Sequence, residues 1–182
     1  LQDCSFNFNE AQQGGAMFAY GGSPSLENCD FDFNRSYDAC DGWTGQGCIP
    51  NTATARGIGM NRGGLGGAYV QHLGSAAFSG CNFTSNETDR AGGAIGALDA
   101  ELTITECGFT QNRATGKSSN GEGGAVWSLG TTHTIERSHF ASNLAGTFGG
   151  ALFLNSAYPF GNNDLTPRGE SDTLIPLGTI TN

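Results

Sequence analysis

The chain has 182 residues, a formal net charge of −9 and eight lysine and arginine residues. This acidic balance argues against nucleic acid or an anionic membrane as a partner, and no apolar run approaches the roughly 18 residues that a membrane span needs. Glycine accounts for 30 residues without a G-X-Y period, which excludes collagen. The length predicts one domain.

A repeated phrase, C-x-F-x-x-N followed by G-G-A and an apolar residue, runs along most of the chain. Its apolar residues are Phe6, Phe31, Ile58, Phe83, Phe109 and Phe140, and its asparagines are Asn9, Asn34, Asn61, Asn86, Asn112 and Asn143. The alanine of G-G-A lies 13 residues before the next Cys or Ser, as from Ala94 to Cys107. Only the distance between Asn and G-G varies, so length changes are expected on one surface loop of each unit.

Residues 35–65 hold either a degenerate copy of this phrase or a plain insertion of one repeat length. The segment 56–61 stands where the phrase belongs, and Asn61 lies five residues before Gly66, as Asn9 lies before Gly14. We therefore expect six units, with Ile58 in the place of phenylalanine in the third.

Each unit contains two short β-prone runs and no helical period. In one unit these runs are residues 94–98 and 102–104. One unit cannot bury its apolar face alone, whereas stacked units with strands about 4.8 Å apart bury a continuous column. The sequence therefore predicts an all-β fold, a parallel β-helix over residues 1–154 with an inward phenylalanine stack and an asparagine ladder. The irregular tail, residues 155–182, is expected to cap its own last coil or to pair with a neighbouring protomer.

The pairing of F-x-x-N with G-G-A-[ILV] resembles the repeat of the chlamydial polymorphic outer membrane proteins, over residues 4–154. The resemblance implies a right-handed β-helix that is exported to the cell surface and has an adhesive or structural role.

The six cysteines are of two kinds. Cys40 and Cys48 flank a glycine-rich segment and predict a disulfide. The other four occupy the repeated position, where stacked side chains point the same way and lie too far apart for a relaxed bridge, so buried thiols are expected. These are Cys4, Cys29, Cys81 and Cys107. No Cys or His spacing indicates zinc.

Carboxylates are densest around Phe31, where Asp30 and Asp32 are expected to point outward. Two such carboxylates suit Ca²⁺, the one cofactor considered, and a solvated acidic face is the alternative. With Arg35 they form the only candidate for a calcium-dependent polysaccharide lyase. The aspartate and Gly-His-Gly motifs of pectin-type hydrolases do not occur, and the histidines fall in different repeat positions, so we expect no catalysis. The histidines are His72, His133 and His139.

Three Asn-x-Ser/Thr sequons, together with the cysteines, indicate a secreted or cell-surface protein. Asn82 is expected to point outward and to be glycosylated before Asn34 or Asn86, whose amides are needed in the ladder. The chain begins with Leu1 rather than Met, so we expect either a removed signal peptide or a longer parent chain.

Two classes of function remain. The first is a structural protomer that polymerises head-to-tail with itself into a filament, because unpaired strand edges that meet in a heterologous, non-closing contact give a fibre. The second is an adhesin or glycan-binding module, in which the loops at 35–52 and 113–122 engage a glycan or a cell surface. Trp43 and Trp127 would be its stacking platforms, and ordinary packing is the alternative for Trp127, which lies two residues after Ala125 in a strand.

Overall fold

The computed structural model describes residues 1–37, 64–116 and 121–155, and the backbone of residues 180–181. These residues form β-strands and no helix, which confirms the all-β class. None of them therefore provides a helix that is long and apolar enough to cross a bilayer.

The strands follow one another in groups of four, and we call each group a unit. Unit 1 contains β1 (Ser5–Asn7), β2 (Glu10–Ala11), β3 (Met17–Tyr20) and β4 (Ser25–Glu27). Unit 2 contains β5 (Asp30–Asp32), β6 (Arg35–Ser36), β7 (Tyr69–His72) and β8 (Ser75–Ser79). Unit 3 contains β9 (Asn82–Thr84), β10 (Glu87–Thr88), β11 (Ile95–Leu98) and β12 (Glu101–Thr105). Unit 4 contains β13 (Gly108–Thr110), β14 (Arg113–Ala114), β15 (Val126–Leu129) and β16 (Thr132–Glu136). Unit 5 contains β17 (His139–Ala141), β18 (Leu144–Ala145), β19 (Leu152–Asn155) and β20 (Ile180–Thr181).

Equivalent strands of the five units form four parallel sheets. Sheet I contains the first strand of every unit, sheet II the second, sheet III the third and sheet IV the fourth, each in the order of the units. Neighbouring units are therefore stacked strand on strand, an arrangement that is consistent with a parallel β-helix or solenoid.

The phenylalanines of sheet I form the expected inward column. Successive rings stack at centroid distances of 4.7–4.8 Å and within 8° of parallel. Phe31, Phe83 and Phe109 are fully buried, whereas Phe6 and Phe140, in the two outer units, are partly exposed. Each of the three interior rings thus packs between its copies in the units on either side, and each end ring has a copy on one side only.

The count of six units is corrected by this column. Phe31 pairs directly with Phe83, so no strand of sheet I lies between β5 and β9. The backbone of Ala68 bonds to those of Ala16 and Ala94, so Gly66-Gly67-Ala68 continues unit 2. Residues 38–63 therefore enter the chain as an insertion within unit 2, at the corner where the other copies also vary in length. Because that insertion is about one repeat long, the spacing in the sequence was compatible with a degenerate repeat copy as well as with a plain insertion. Ile58 and Asn61 lie outside the described residues.

The backbone of residues 180–181 pairs with β16 of the same chain, with Ile180 opposite Ile135. Of the two expectations for the tail, this pairing follows the first, because it adds the fourth strand to unit 5. The rest of the tail after Asn155 lies outside the described residues.

The second glycine of the G-G pair is required by the stacking in units 1 to 4, each of which has a following unit. A Cβ atom on Gly93 would lie 2.0 Å from the carbonyl oxygen of Gly124 in the next unit. The first glycine, as at Gly92 with φ of 71°, adopts the left-handed conformation that side chains disfavour. The G-G pair therefore marks the closest approach between the backbones of successive units.

Candidate functional site

The asparagine ladder lies at the corner between sheets I and II. The residue before each asparagine has a φ between 54° and 58°, which turns the chain sharply. This turn brings the asparagine side chain into the interior, where Asn34, Asn86 and Asn112 are fully buried. Left-handed residues of this kind are uncommon outside glycine, so the corner is a specified feature of the repeat.

Every link of the ladder uses the same three hydrogen bonds. The backbone N–H and the Nδ2 of one asparagine donate to the Oδ1 of the asparagine in the next unit, at 2.9–3.1 Å. The Nδ2 of that next asparagine donates a hydrogen back to the phenylalanine carbonyl of the first unit, at 2.7–3.0 Å. In all four links the two bonds to Oδ1 are donated by the lower-numbered unit and the bond to the carbonyl by the higher-numbered unit. The ladder is therefore polar along the stack.

The two ends of the stack are incomplete copies of its interior. Within the described ranges, the main core cluster is the one that contains the phenylalanine column, and the hydrophobic residues that pack against it but are only partly buried, here called the partly buried core residues, all belong to units 1 and 5. They are Cys4, Phe6, Ala16, Met17, Ala19, Phe140, Leu152 and Leu154. We call the edge of unit 1 that is turned away from unit 2 the unit 1 face, and the edge of unit 5 turned away from unit 4 the unit 5 face. Each face therefore leaves core residues partly exposed, whereas the equivalent residues in the units between the two faces are buried.

The four ladder cysteines are free thiols, and three of them are buried. Each thiol donates to the carbonyl two residues earlier, as Cys107 Sγ does to Thr105 at 3.2 Å. Ser138 takes the fifth position because its hydroxyl makes the same bond to Glu136, at 2.9 Å. Burial raises the pKa of Cys29, and the hydrogen bond with Cys81, followed by burial, raises the pKa of Cys107. Cys29 and Cys107 are therefore protonated packing residues, whereas the hydrogen bond with Cys107 lowers the pKa of Cys81 to about 7.

A ladder of alternating charge lies on the outer side of sheet II, and sequence reasoning missed it. Arg35 contacts Glu10 at 3.4 Å and Glu87 at 3.8 Å, and Arg113 contacts Glu87 at 4.0 Å. Each of these residues directly follows a ladder asparagine, so the alternation was visible once the register was known. Because Arg35 also lies 3.6 Å from Asp89, its charge is held by three carboxylates. Arg35 is thus ion-paired within the stack, and the lyase alternative stays a prediction.

Asp30 and Asp32 flank Phe31 on β5, as predicted. Asp30 is exposed and accepts a hydrogen bond from Asn82 Nδ2 at 3.0 Å, and Asp32 is partly buried. No group of three or more His, Cys, Asp or Glu residues that could hold a metal ion occurs in the described ranges. The calcium prediction therefore rests on these two carboxylates alone.

The three sequons differ in accessibility in the expected way. Asn82 is exposed on sheet I, whereas Asn34 and Asn86 are 0% exposed. In the folded protein only the Asn82 amide is accessible from solvent, so glycosylation at Asn82 stays a prediction with a geometric basis.

Trp127 is not a stacking platform. It is 7% exposed, packs with Val70 and Leu98, and donates from Nε1 to Glu122 at 3.0 Å. The expectation of an exposed ring is wrong because a second apolar cluster forms on the outer side of sheet III. Trp43, the cysteines Cys40 and Cys48, and residues 38–52 and 117–120 of the two candidate loops lie outside the described residues.

The histidines are dispersed, as their repeat positions predicted. His133 is buried within unit 4, and His139 is exposed on sheet I. The His72 ring packs edge-to-face with the Tyr20 ring, with 4.9 Å between the ring centroids. Burial lowers the pKa of His133 and of His72, so both rings are neutral at neutral pH.

Two exposed aromatic residues were also missed. Phe8 and Phe33 each precede a ladder asparagine, and they are 77% and 52% exposed. Their two rings stack on each other with their centroids 5.1 Å apart. Their left-handed backbone disfavours a large side chain, so the sequence alone suggested no exposed ring pair at this corner.

Comparisons with family models, with curated proteins and with solved structures give no match to this chain. The functional argument therefore rests on the geometry of the columns and of the two faces.

Proposed function

We propose that this chain is a non-catalytic extracellular structural protein. It is a right-handed parallel β-helix whose unit 5 face docks on the unit 1 face of a second copy, which gives a head-to-tail filament. The observation that supports the proposal most directly is the confinement of partly buried core residues to units 1 and 5.

The apolar gain from docking is substantial. Phe6 and Met17 on one face and Phe140, Leu152 and Leu154 on the other are partly exposed, and completing the burial of such side chains contributes about 1 kcal/mol each. Backbone pairing between the edges of the four sheets adds to this gain. Together these terms are of the size needed to offset an association cost of about 4–15 kcal/mol.

The two faces differ, so their contact is heterologous. A heterologous contact gives a ring when its rotation closes and an open fibre when it does not. Stacked parallel units continue along one axis, so the expected product is a fibre of the width of one chain.

Electron microscopy and sedimentation of the 182-residue chain test this proposal. We expect fibres of constant width whose length grows with protein concentration. Met17→Lys, which places a charge at the edge of the core on the unit 1 face, should prevent their growth. Phe18→Lys, the exposed neighbour on β3, is the matched control and should leave the fibres intact. A chain that stays monomeric at the highest soluble concentration would contradict the proposal.

A cell-surface binding module is the second candidate, and the exposed Phe8–Phe33 pair favours it. Exposed aromatic rings are suited to stacking on sugar rings. Ser85 occupies the same position in unit 3, so Phe33→Ser is compatible with the turn. If glycan or cell binding is the function, this variant should lose binding while the chain keeps its fold by circular dichroism.

A further inference from the structure

We propose that the asparagine ladder sets the direction in which copies dock, with unit 5 of one copy donating to unit 1 of the next. This inference rests on the filament proposed above. It adds the residues that distinguish a head-to-tail contact from a contact between two like faces.

The unit 5 face is the donor end of the ladder. Asn143 receives the hydrogen bonds of Asn112 on its Oδ1 and donates from Nδ2 to the Phe109 carbonyl. Within the described residues its backbone N–H and the second Nδ2 hydrogen have no acceptor, and the Phe140 carbonyl has no asparagine donor. In every interior unit these groups bond to the asparagine of the following unit.

The unit 1 face is the acceptor end. Asn9 donates from its backbone N–H and from Nδ2 to Asn34 Oδ1 at 3.0 and 2.9 Å. In the described part of the chain its own Oδ1 receives no donor, and its second Nδ2 hydrogen has no carbonyl. Asn9 thus lacks the partners that Asn143 and Phe140 offer.

Docking at the spacing of the internal units satisfies all of these groups at once. The N–H and Nδ2 of Asn143 reach Oδ1 of Asn9 in the next copy, and Nδ2 of that Asn9 reaches the Phe140 carbonyl. These are the three bonds found at each internal link. Two unit 5 faces would bring four N–H donors against two Phe140 carbonyls, and two unit 1 faces would bring only two Asn9 amides together, so neither contact between like faces reproduces this set of three bonds.

The backbone edges do not make this distinction. The edge of a β-sheet presents both N–H and C=O groups, so it can pair with a parallel or an antiparallel strand. The direction of docking is therefore decided by the side-chain amides at the corner.

The first test uses the critical concentration for assembly. Asn143→Asp keeps the acceptor for Asn112 but places a carboxylate opposite Asn9 Oδ1, so we expect the critical concentration to rise by about tenfold or more. Ser142→Asp adds the same charge at the adjacent exposed residue, where the left-handed backbone suits aspartate, and is the matched control. Near pH 3 the introduced carboxyl is protonated and donates a hydrogen bond, so assembly of the Asn143 variant should recover.

The second test maps the contact by cross-linking. Phe8 and Ser142 occupy the same column, in which the Phe8 and Phe33 rings lie 5.1 Å apart. In a mixture of the Phe8→Cys and Ser142→Cys chains, a short bismaleimide that reacts with two thiols should join these two positions of different chains, identified by peptide mass spectrometry.

The outcomes separate this inference from the filament itself. Fibres that tolerate Asn143→Asp as well as Ser142→Asp, or cross-links that join like positions within either single variant, overturn the inference and leave the filament standing. A wild-type chain that does not assemble removes both. Assembly with the 8–142 cross-link and with the selective loss at Asn143 supports both.

Discussion

Asn86→Ala is the most direct perturbation of the ladder, because the asparagine side chain is buried and fully bonded. Its Oδ1 accepts from the backbone N–H and the Nδ2 of Asn34, and its Nδ2 donates to Asn112 and to the Phe31 carbonyl. The substitution leaves both donors of Asn34 buried without that acceptor. Each unsatisfied buried group costs about 1–3 kcal/mol, so the loss of an acceptor for two donors should lower the free energy of unfolding by about 2–6 kcal/mol. That is a large part of the roughly 5–15 kcal/mol that stabilises a typical domain.

Urea unfolding of bacterially produced, unglycosylated chain, followed by circular dichroism, measures this loss. Asn82→Ala is the matched control, since it removes an exposed asparagine four residues away that makes one hydrogen bond, to Asp30. The control should change the free energy of unfolding by less than about 0.5 kcal/mol. A loss below about 1 kcal/mol for Asn86→Ala would refute the view that the ladder holds the units together.

Four further predictions follow from the same columns. Phe109→Ala should destabilise the chain by about 3–5 kcal/mol, because it removes a buried ring from the middle of the stack; a cost near that of an exposed substitution would contradict the inward column. Glycopeptide mapping of secreted protein should find glycan at Asn82 and none at the ladder asparagines, and the reverse pattern would invert inside and outside. His133 has a lowered pKa, so the unfolded chain binds its proton first, and stability should fall as pH drops below about 6.5 towards the folded pKa. His133→Leu, which copies Leu102 in the adjacent unit, should reduce that pH dependence in urea titrations at pH 5 and 7, and an unchanged slope would show that His133 is not its source. Deleting residues 172–182 removes the strand on β16 and should weaken the filament while the remaining sheets stay folded, as judged by microscopy and circular dichroism.

The repeat phrase predicted the columns because stacking imposes the same residue at the same place in every unit. Phe31, Phe83 and Phe109 are inward because each packs on its own copies, so periodic identity alone was sufficient to place them. The count of units could not be obtained in this way. An insertion of one repeat length that leaves the stack and rejoins it at one corner does not disturb the repeat spacing before or after it. Only the pairing of β5 with β9 shows that this segment is an insertion and not a stacked unit.

The repeat pattern also did not predict the contacts that side chains make outside the columns. Trp127 is an outward residue of its strand, yet a second apolar cluster encloses it, and nothing in the period of the repeat specifies that cluster. The charge ladder is the opposite case. Its members alternate in sign at one repeat position, but the sequence alone places Arg35 beside Asp30 and Asp32, whereas the fold pairs it with carboxylates of the neighbouring units.

Folding and assembly of this chain should share one set of interactions. An interior asparagine has partners in both adjacent units, whereas Asn9 and Asn143 each have a partner on one side only. A second copy supplies the missing side, so docking stabilises the outer units in the same way that units stabilise one another within the chain. A partner that binds only the folded state raises its apparent stability by mass action. The midpoint of thermal unfolding should therefore rise with protein concentration for the wild-type chain and stay constant for Asn143→Asp. A midpoint that does not depend on concentration in the wild-type chain would show that the faces do not meet.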